Sequence, residues 1–327
     1  MKAFLNRSVL LTVLLALAAP AAFAQDDEIV ASLQNLLGRV QVVQKANGET
    51  LQARVGLLLR AGDTVVTADQ SRATIKFRDG SEIRLFQNTR FVLQAAKESV
   101  GNDRSFRFDL LLRAGSLWGL FVKQHQTAKI TTPTATIGIK GTSLRITEQD
   151  NSARVALTEG LIEVSNERKT VELEPGKRLV NFTRVDDLSQ KIEPIHFKLE
   201  MRSEKHKLGF TGNQPEEVFV TLQLTNVTTG REVPRAATIY FRSNYDKITY
   251  PPMAKLDDRG FARVPLTVAP PEAADAQLNG NVYVWAVIDQ ADADDTGEGR
   301  ILFNIPVSTG EEHIKIDAEK GTGKRAN

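Results

Sequence analysis

The residues best suited to bind a metal ion lie in one short acidic segment near the C-terminus. Asp292, Asp294, Asp295 and Glu298 surround a glycine, and clustered carboxylates of this kind can hold Ca²⁺ through their oxygen atoms. An EF-hand loop counted from Asp292 needs glutamate at its twelfth position, where this sequence has Phe303. The spacing therefore favours a solvated acidic loop between two strands, with a calcium site at these four carboxylates as the alternative.

No familiar catalytic arrangement is recognisable in the sequence. The four histidines (His125, His196, His206 and His313) have no metal-type spacing, and the chain contains no cysteine. Neither a Gly-x-Ser-x-Gly nucleophile motif nor a phosphate-binding glycine loop followed by lysine is present. We therefore predict that the protein is not an enzyme and uses no cofactor.

A segment rich in threonine and glycine is the first candidate for binding a partner. Its glycines would let another backbone approach closely, and its threonines offer hydroxyl groups. The candidate residues are Thr132, Pro133, Thr134, Gly138, Lys140, Gly141 and Thr142. The alternative explanation is structural, because glycine often serves turns or bulges and proline often begins a strand. The structural explanation is the favoured one.

Trp118 is the second candidate, as an exposed aromatic residue that recognises a partner. Strand alternation places Leu117 and Phe121 on one face and Trp118 and Leu120 on the other. Because both faces are apolar, the pattern indicates a buried strand or an interface.

The first 24 residues are typical of a secretory signal peptide. Lys2 and Arg7 form a positive start, an apolar run extends from Ser8 to Ala19, and small residues flank the expected cleavage site. The apolar run is shorter than the ~20 residues that a membrane-spanning helix needs. Cleavage near Gln25 would give a periplasmic protein with no transmembrane segment, with the cell surface or the medium as alternative destinations.

The charge balance argues against nucleic acid as a partner. The chain has 42 lysines and arginines and 40 aspartates and glutamates, and two of the basic residues lie in the predicted signal. The mature part therefore has no net charge, whereas binding to nucleic acid requires a clustered basic field. Without cysteines, an exported chain must be stabilised by apolar burial, and about 300 residues are enough for two domains.

The pattern of side chains predicts an all-β protein. β-branched residues alternate with polar ones through most of the chain, and turn residues recur at short intervals. The segment from Ile29 to Leu37 is compatible with either a short helix or a leading strand.

The Asp79-Gly80 turn leaves the strand register open. A two-residue turn would pair Phe77 with Glu82 and place a charge on the apolar face. An odd-numbered loop that pairs Phe77 with Ile83 avoids this conflict, and so does a coil of successive rungs without any hairpin.

The Glu159-Gly160 turn gives a simpler prediction. A two-residue turn pairs Leu157 with Ile162, and the flanking apolar residues then share one face. The sequence therefore predicts a tight hairpin at this position.

The second half of the chain has the rhythm of a β-sandwich. Charge and the loss of alternation indicate a linker at 186–194, and Trp285 is predicted to anchor the core of the second domain. The predicted strands are Val218 to Leu224, Ala237 to Arg242, Ala262 to Val268, Val282 to Ile288 and Ile301 to Ile305. The small and charged residues from Thr309 onward predict a disordered tail.

An ordered series of motifs in the first half resembles the FecR-type domain over about Gly38 to Val180. The most specific motif runs from Thr132-Pro133 through Gly138 to Gly141-Thr142. The other motifs are Gly38-Arg-Val40-Gln-Val42, Gly62-Asp63-Thr64-Val65-Val66-Thr67, Ser71-Arg-Ala73, Phe77-Arg-Asp79-Gly80-Ser81, Gly115-Ser-Leu117, Glu159-Gly160 and Leu173-Glu-Pro175-Gly176.

The resemblance implies a domain that, in well-known relatives, is the periplasmic part of a membrane regulator and relays a transporter's state to a cytoplasmic sigma factor. The predicted signal peptide stands where those regulators carry a cytoplasmic domain, so we do not transfer the sigma-regulating activity directly. The second half resembles a bacterial immunoglobulin-like domain through its strand rhythm alone.

These inferences combine into one expectation. The domains are a signal peptide at 1–24, a FecR-type β domain of stacked short strands (roll or solenoid-like) at 25–185, a linker at 186–194, an immunoglobulin-like β-sandwich at 195–308 and a tail at 309–327. We expect an exported binding or scaffold protein that recognises an envelope protein or a glycan through its FecR-type domain. The alternative is a component of a cell-surface signalling pathway that regulates a sigma factor.

Overall fold

A computed structural model describes residues 29–99, 105–122, 126–272, 275, 280–290 and 293–306. Strands dominate this part of the chain, which confirms the all-β prediction, and Ile29–Leu37 is one of them. A short 3₁₀ turn, η1, spans Leu188–Gln190. Among the described residues, no helix is long and apolar enough to cross a membrane. The predicted signal peptide and C-terminal tail lie outside the described residues.

Seventeen strands form the first unit. They are β1 (Ile29–Leu37), β2 (Val40–Val43), β3 (Thr50–Gln52), β4 (Leu58–Arg60), β5 (Thr64–Thr67), β6 (Arg72–Phe77), β7 (Glu82–Leu85), β8 (Arg90–Ser99), β9 (Ser105–Leu120), β10 (Gln126–Thr131), β11 (Thr136–Ile139), β12 (Ser143–Gln149), β13 (Ser152–Glu159), β14 (Ile162–Ser165), β15 (Thr170–Leu173), β16 (Lys177–Phe182) and β17 (Ile192–Pro194).

The pairing divides these strands into two layers that share β9. The first layer has the order β4-β1-β6-β7-β9-β12-β13-β16-β17. The second layer has the order β3-β2-β5-β8-β9-β10-β11-β14-β15. The N-terminal part of β9 pairs with β8 and β10, and its C-terminal part pairs with β7 and β12.

The two layers enclose one hydrophobic core. Alternate residues of each strand point inward, such as Ile75 and Ile83 from the first layer and Ile130 from the second. The rings of Phe77 and Phe108 meet across the core, with centroids 4.8 Å apart. Short stacked strands thus bury a continuous apolar interior without any disulfide.

The turn at Asp79-Gly80 is a hairpin with an odd loop. The Phe77 amide donates to the Ser81 carbonyl at 2.9 Å, and Ile75 lies opposite Ile83. Three residues form the loop, and Gly80 adopts the left-handed conformation with φ +91°. The odd loop keeps charge off the apolar face, but the specific pairing of Phe77 with Ile83 is wrong by two positions.

The predicted hairpin at Glu159-Gly160 is wrong. Strand β13 pairs with β12 and β16 in the first layer, whereas β14 pairs with β11 and β15 in the second. The chain therefore crosses between layers at Gly160, whose φ is +88°. Leu157 and Ile162 both still reach the core, so a corner satisfies the same alternation as a hairpin would.

The segment predicted as a linker, 186–194, packs onto the first unit. Leu188 is fully buried in the first core, and β17 pairs with β16. The Asp186 carboxylate accepts a hydrogen bond from the Thr183 amide at 2.7 Å. The charges that suggested a linker thus stabilise a turn, and the first unit continues to about Pro194.

The second unit is a β-sandwich. Its strands are β18 (Phe197–Ser203), β19 (Glu216–Asn226), β20 (Ala237–Ser243), β21 (Ile248–Thr249), β22 (Ala254–Leu256), β23 (Phe261–Val268), β24 (Asn281–Ile288), β25 (Thr296–Gly297) and β26 (Gly299–Asn304). A five-stranded sheet, β21-β23-β19-β18-β25, faces a four-stranded sheet, β22-β20-β24-β26, across a second core. All five predicted strands are present, while the immunoglobulin-like assignment stays a prediction.

Candidate functional site

The first layer is buried on its outer face as well as its inner face. On β7, Ile83 belongs to the core, yet Glu82 and Arg84 on the opposite side are also buried. The strand register places Arg84 and Arg145 on either side of Trp118, across β7, β9 and β12. A row of charged and aromatic side chains loses its water only when another surface covers it.

The covering surface is the four-stranded sheet of the second unit, and we call this contact the junction. Phe86, Trp118 and Leu120 of the first unit pack against Tyr240 and Val287 of the second. The rings of Trp118 and Tyr240 meet edge to face, with centroids 6.0 Å apart and planes at 82°. Trp118 therefore serves an interface within the chain, which is one of the two explanations that its strand pattern allowed.

Trp285 also lies at the junction, so its predicted role in the sandwich core is wrong. Val284 and Ala286 point into that core, which places Trp285 on the opposite face of β24. The Arg242 guanidinium carbon lies 4.5 Å from the Trp285 ring centroid and 5.7 Å from that of Trp118. The alternation of large side chains on β24 follows the junction face and not the core.

Asp289 joins the two units through arginines. Its carboxylate is fully buried and lies 2.8 Å from both Arg84 Nη2 and Arg72 Nε. The Arg84 guanidinium also stacks 3.8 Å above the Tyr240 ring centroid. Two guanidinium groups thus compensate one buried carboxylate: Arg84 hydrogen-bonds to Oδ1, whereas Oδ2 is in ion-pair contact with Arg72.

Glu82 projects from the first unit into the junction, where its partners belong to the second unit. The Tyr240 hydroxyl donates a hydrogen bond to Glu82, and Arg242 Nε lies 3.7 Å from its other oxygen. Burial, and then the neighbouring Glu82 carboxylate, raise the pKa of Tyr240 well above its ordinary value. Tyr240 therefore stays a hydrogen-bond donor at every physiological pH.

Glu298 inserts its carboxylate into a set of donors on the first unit. The Trp118 indole N–H and the hydroxyls of Ser143 and Thr158 all donate to Glu298 Oε1. Burial raises the pKa of Glu298, with Glu159 nearby adding to the effect, while the three hydrogen bonds act in the opposite direction. The donors hold the anion, but they do not fully replace water.

Replacement of Glu298 by glutamine should change the pH dependence of stability. Because the folded pKa of Glu298 is raised above the model-peptide value, its favourable contribution is present at pH below about 4.5 and is lost as pH rises through the folded pKa. The stability of Glu298→Gln relative to the wild type should therefore increase as pH rises from about 4 to 7. Urea unfolding at several pH values measures this difference, and parallel curves would contradict it.

Two further acidic residues of the predicted calcium site, Asp294 and Asp295, have arginine partners. Asp294 lies 3.4 Å from Arg154 and 3.3 Å from Arg178, both of the first unit, and Asp295 lies 3.5 Å from Arg235. Asp292 lies outside the described residues. Within the described ranges, no group of three or more His, Asp or Glu residues could hold a metal ion. The calcium site stays a prediction, and the three described carboxylates have separate partners.

The threonines of the predicted partner segment are built into the fold. Thr132 Oγ1 accepts hydrogen bonds from the amides of Thr134 and Ala135 at 3.1 and 3.0 Å. The Thr134 hydroxyl donates to the buried Glu148 at 2.8 Å, and burial raises the pKa of that carboxyl. Thr142 is buried, and its neighbour Gly141 has φ +62°, whereas Pro133 is exposed.

Gly138 and Lys140 lie elsewhere, on the outer face of the second layer, so the structure does not bring them together with Trp118. Gly138 pairs with Lys129 on one side and Glu163 on the other, without a bulge. An added Cβ at Gly138 would approach no atom closer than 3.9 Å. Neither backbone strain nor packing explains this glycine.

Gly138 lies in an open groove of about 440 Å³ on this face. Charged side chains of both signs border it, and Lys129 lies 3.4 Å from Asp109 within it. The bordering charged residues are Arg107, Asp109, Lys129, Lys140, Glu163 and Glu172. Glycine inside a strand often marks a place where another molecule approaches the backbone closely, so this groove is the part of the predicted partner site that remains open.

Substitution of Gly160 and of Gly138 should distinguish a glycine that the fold requires from one that it does not require. Gly138→Ala is expected to raise the free energy of unfolding by about 0.5–1 kcal/mol, because alanine fits the space and restricts the unfolded chain. Gly160→Ala should lower it by more than about 1–2 kcal/mol, because φ is +88° and the new Cβ would lie 2.3 Å from the Gly141 carbonyl oxygen. Denaturant titration of both variants is the measurement, and equal effects would refute the distinction.

A family model described as FecR protein matches residues 63–163, which confirms the predicted resemblance over this range. No curated protein matches the chain. Two crystal structures of a "putative anti-sigma factor" from Parabacteroides distasonis ATCC 8503 are similar to it, each with 15% identity and a TM-score of 0.33. Each match covers 40% of this chain and 59% of the other, so it spans less than two thirds of that protein.

Proposed function

We propose that this chain is a non-enzymatic component of a cell-surface signalling pathway in the bacterial envelope. The FecR match over residues 63–163 carries the proposal, because the resemblance implies a domain that passes on the state of an envelope protein. The N-terminal residues support export through a cleavable signal, and hence a periplasmic location.

The junction supports a role in which both units act together. The matched range contains β7, β9 and β12, and the second unit covers their outer face. Buried charges from both units share partners there, with Asp289 held by Arg72 and Arg84. A partner that changes the junction would therefore alter the surfaces of both units at once, which is the requirement for a relay.

Recognition of an envelope protein or glycan is assigned in this proposal to the groove around Gly138. That groove faces away from the junction, has charges of both signs at its borders and contains a glycine that the fold does not require. This observation also favours a second candidate function, an exported scaffold that binds its partner without any transcriptional output.

Gene deletion with complementation distinguishes the two functions. We expect deletion to change at least one sigma-dependent transcript, and wild-type protein and Gly138→Ala to restore it. Gly138→Trp, whose Cβ would lie 3.9 Å from its nearest neighbours and whose ring would enter the groove, should reach the same protein level and fail to restore it. If no sigma-dependent transcript responds to deletion, the signalling role is rejected and the scaffold function is retained.

A further inference from the structure

One short stretch of the second unit contacts five arginines of the first unit. We call its described residues, 288–290 and 293–298, the acidic segment. The carbonyl oxygens of Ile288 and Gln290 accept hydrogen bonds from Arg145 at 2.9 and 2.5 Å. With the carboxylates of Asp289 and Asp294, the segment contacts five arginines of the first unit: Arg72, Arg84, Arg145, Arg154 and Arg178.

The first unit provides a matching set of donors. The five guanidinium groups project from strands of the first layer, and Trp118, Ser143 and Thr158 add three neutral donors for Glu298. Arg145 is oriented by its own unit, since its guanidinium carbon lies 4.7 Å above the Phe86 ring centroid. Preoriented guanidinium groups bind carboxylates and carbonyl oxygens with defined geometry.

The composition of the junction is that of a contact that can open. A small apolar cluster of five residues, Trp118 among them, lies beside several charged groups. Buried ion pairs add little net stability because the loss of hydration offsets their attraction, and polar contacts between domains resemble transient interfaces. A cleft of about 720 Å³, bordered by Arg72, Asp289 and Gln290, gives access to the acidic segment from solvent.

We propose that the arginine-rich outer face of the first layer is a binding site for an acidic polypeptide segment. The acidic segment of the second unit occupies it as an internal ligand, which an acidic segment of a partner protein displaces. The proposal deepens the proposed function and rests on it for its biological role, because displacement would give the relay its two states. The exchange itself is a property of the purified chain.

The chain contains a direct optical probe for this exchange. Trp118 and Trp285 are its two tryptophans, and both lie at the junction. A synthetic peptide with the sequence of residues 286–300, which lacks tryptophan, serves as the competing ligand. Since the internal segment has an effective concentration in the mM range, the peptide must be titrated to several mM.

We expect the peptide to shift the tryptophan emission to longer wavelength in a saturable manner and to increase hydrogen exchange in β20 and β24. Asp294→Asn, which weakens the internal ligand at Arg154 and Arg178, should lower the required peptide concentration by about tenfold. A scrambled peptide of the same composition is the control.

Two results would overturn the site. One is the absence of any emission shift at several mM peptide in both the wild type and Asp294→Asn. The other is an equal shift with the scrambled peptide, which would indicate charge screening alone. If the exchange occurs but gene deletion leaves sigma-dependent transcripts unchanged, the binding site stands and the signalling function falls.

Discussion

Replacement of Asp289 by alanine is expected to lower the free energy of unfolding by about 3–5 kcal/mol. The carboxylate has no exposed surface and holds Arg84, whose side chain is only 8% exposed, together with Arg72. Its removal leaves two guanidinium groups at the junction without a compensating anion. Urea unfolding, followed by far-ultraviolet circular dichroism, measures the loss.

Glu159→Ala is the matched control for Asp289→Ala. Glu159 pairs with Arg300 at the same distance, 2.8 Å, and also joins the two units, but the side chains are 40% and 49% exposed. Exposed ion pairs contribute about 0–1 kcal/mol, so this variant should stay close to the wild type. If the two variants lose similar stability, burial is not what makes Asp289 important.

Trp118→Ala is expected to destabilise the protein by about 3–5 kcal/mol and to loosen the junction. The substitution opens a cavity between Phe86 and Tyr240 and removes the aromatic face beside Arg242. It also deprives Glu298 of its indole donor. Calorimetric unfolding should show a lower Tm, and hydrogen exchange should increase on both sides of the junction.

Trp118→Phe separates the packing of this residue from its hydrogen bond. Phenylalanine keeps an aromatic ring against Tyr240 but has no N–H for Glu298, so we expect a loss of about 1–3 kcal/mol. A Trp118→Phe variant as unstable as Trp118→Ala would show that the hydrogen bond, and not the aromatic contact, dominates.

The sequence predicted the type and many of the positions of the strands, because alternation depends on neighbouring residues alone. The sequence could not assign the strands to layers, because Leu157 and Ile162 face the core equally well in a hairpin and in a corner between layers. The register at Asp79-Gly80 was open for the same reason, since parity fixes the face of a strand but not the loop length.

The junction could not be predicted, because its partners lie far apart in the sequence. Asp289 meets Arg84 from 205 positions away, and Glu298 meets Trp118 from 180. Taken alone, the sequence around each of these residues has a simpler explanation, such as a solvated acidic loop or a core strand. The sequence did contain two signals of the junction. Both faces of the strand at Trp118 are apolar, and on β24 large residues alternate with small ones around Trp285.

Strand β9 has a consequence for how the protein folds. Its 16 residues are shared by both layers, with a parallel partner in β10 and antiparallel partners in β7, β8 and β12. Neither layer can complete its hydrogen bonds before β9 is in place, because β9 pairs with β7 and β12 in one layer and with β8 and β10 in the other. Until then the strand edges of both layers stay unpaired, and unpaired edges are prone to aggregation. The two layers should therefore form and melt as a single cooperative unit, and the nascent chain would depend on protection from aggregation until β9 is paired.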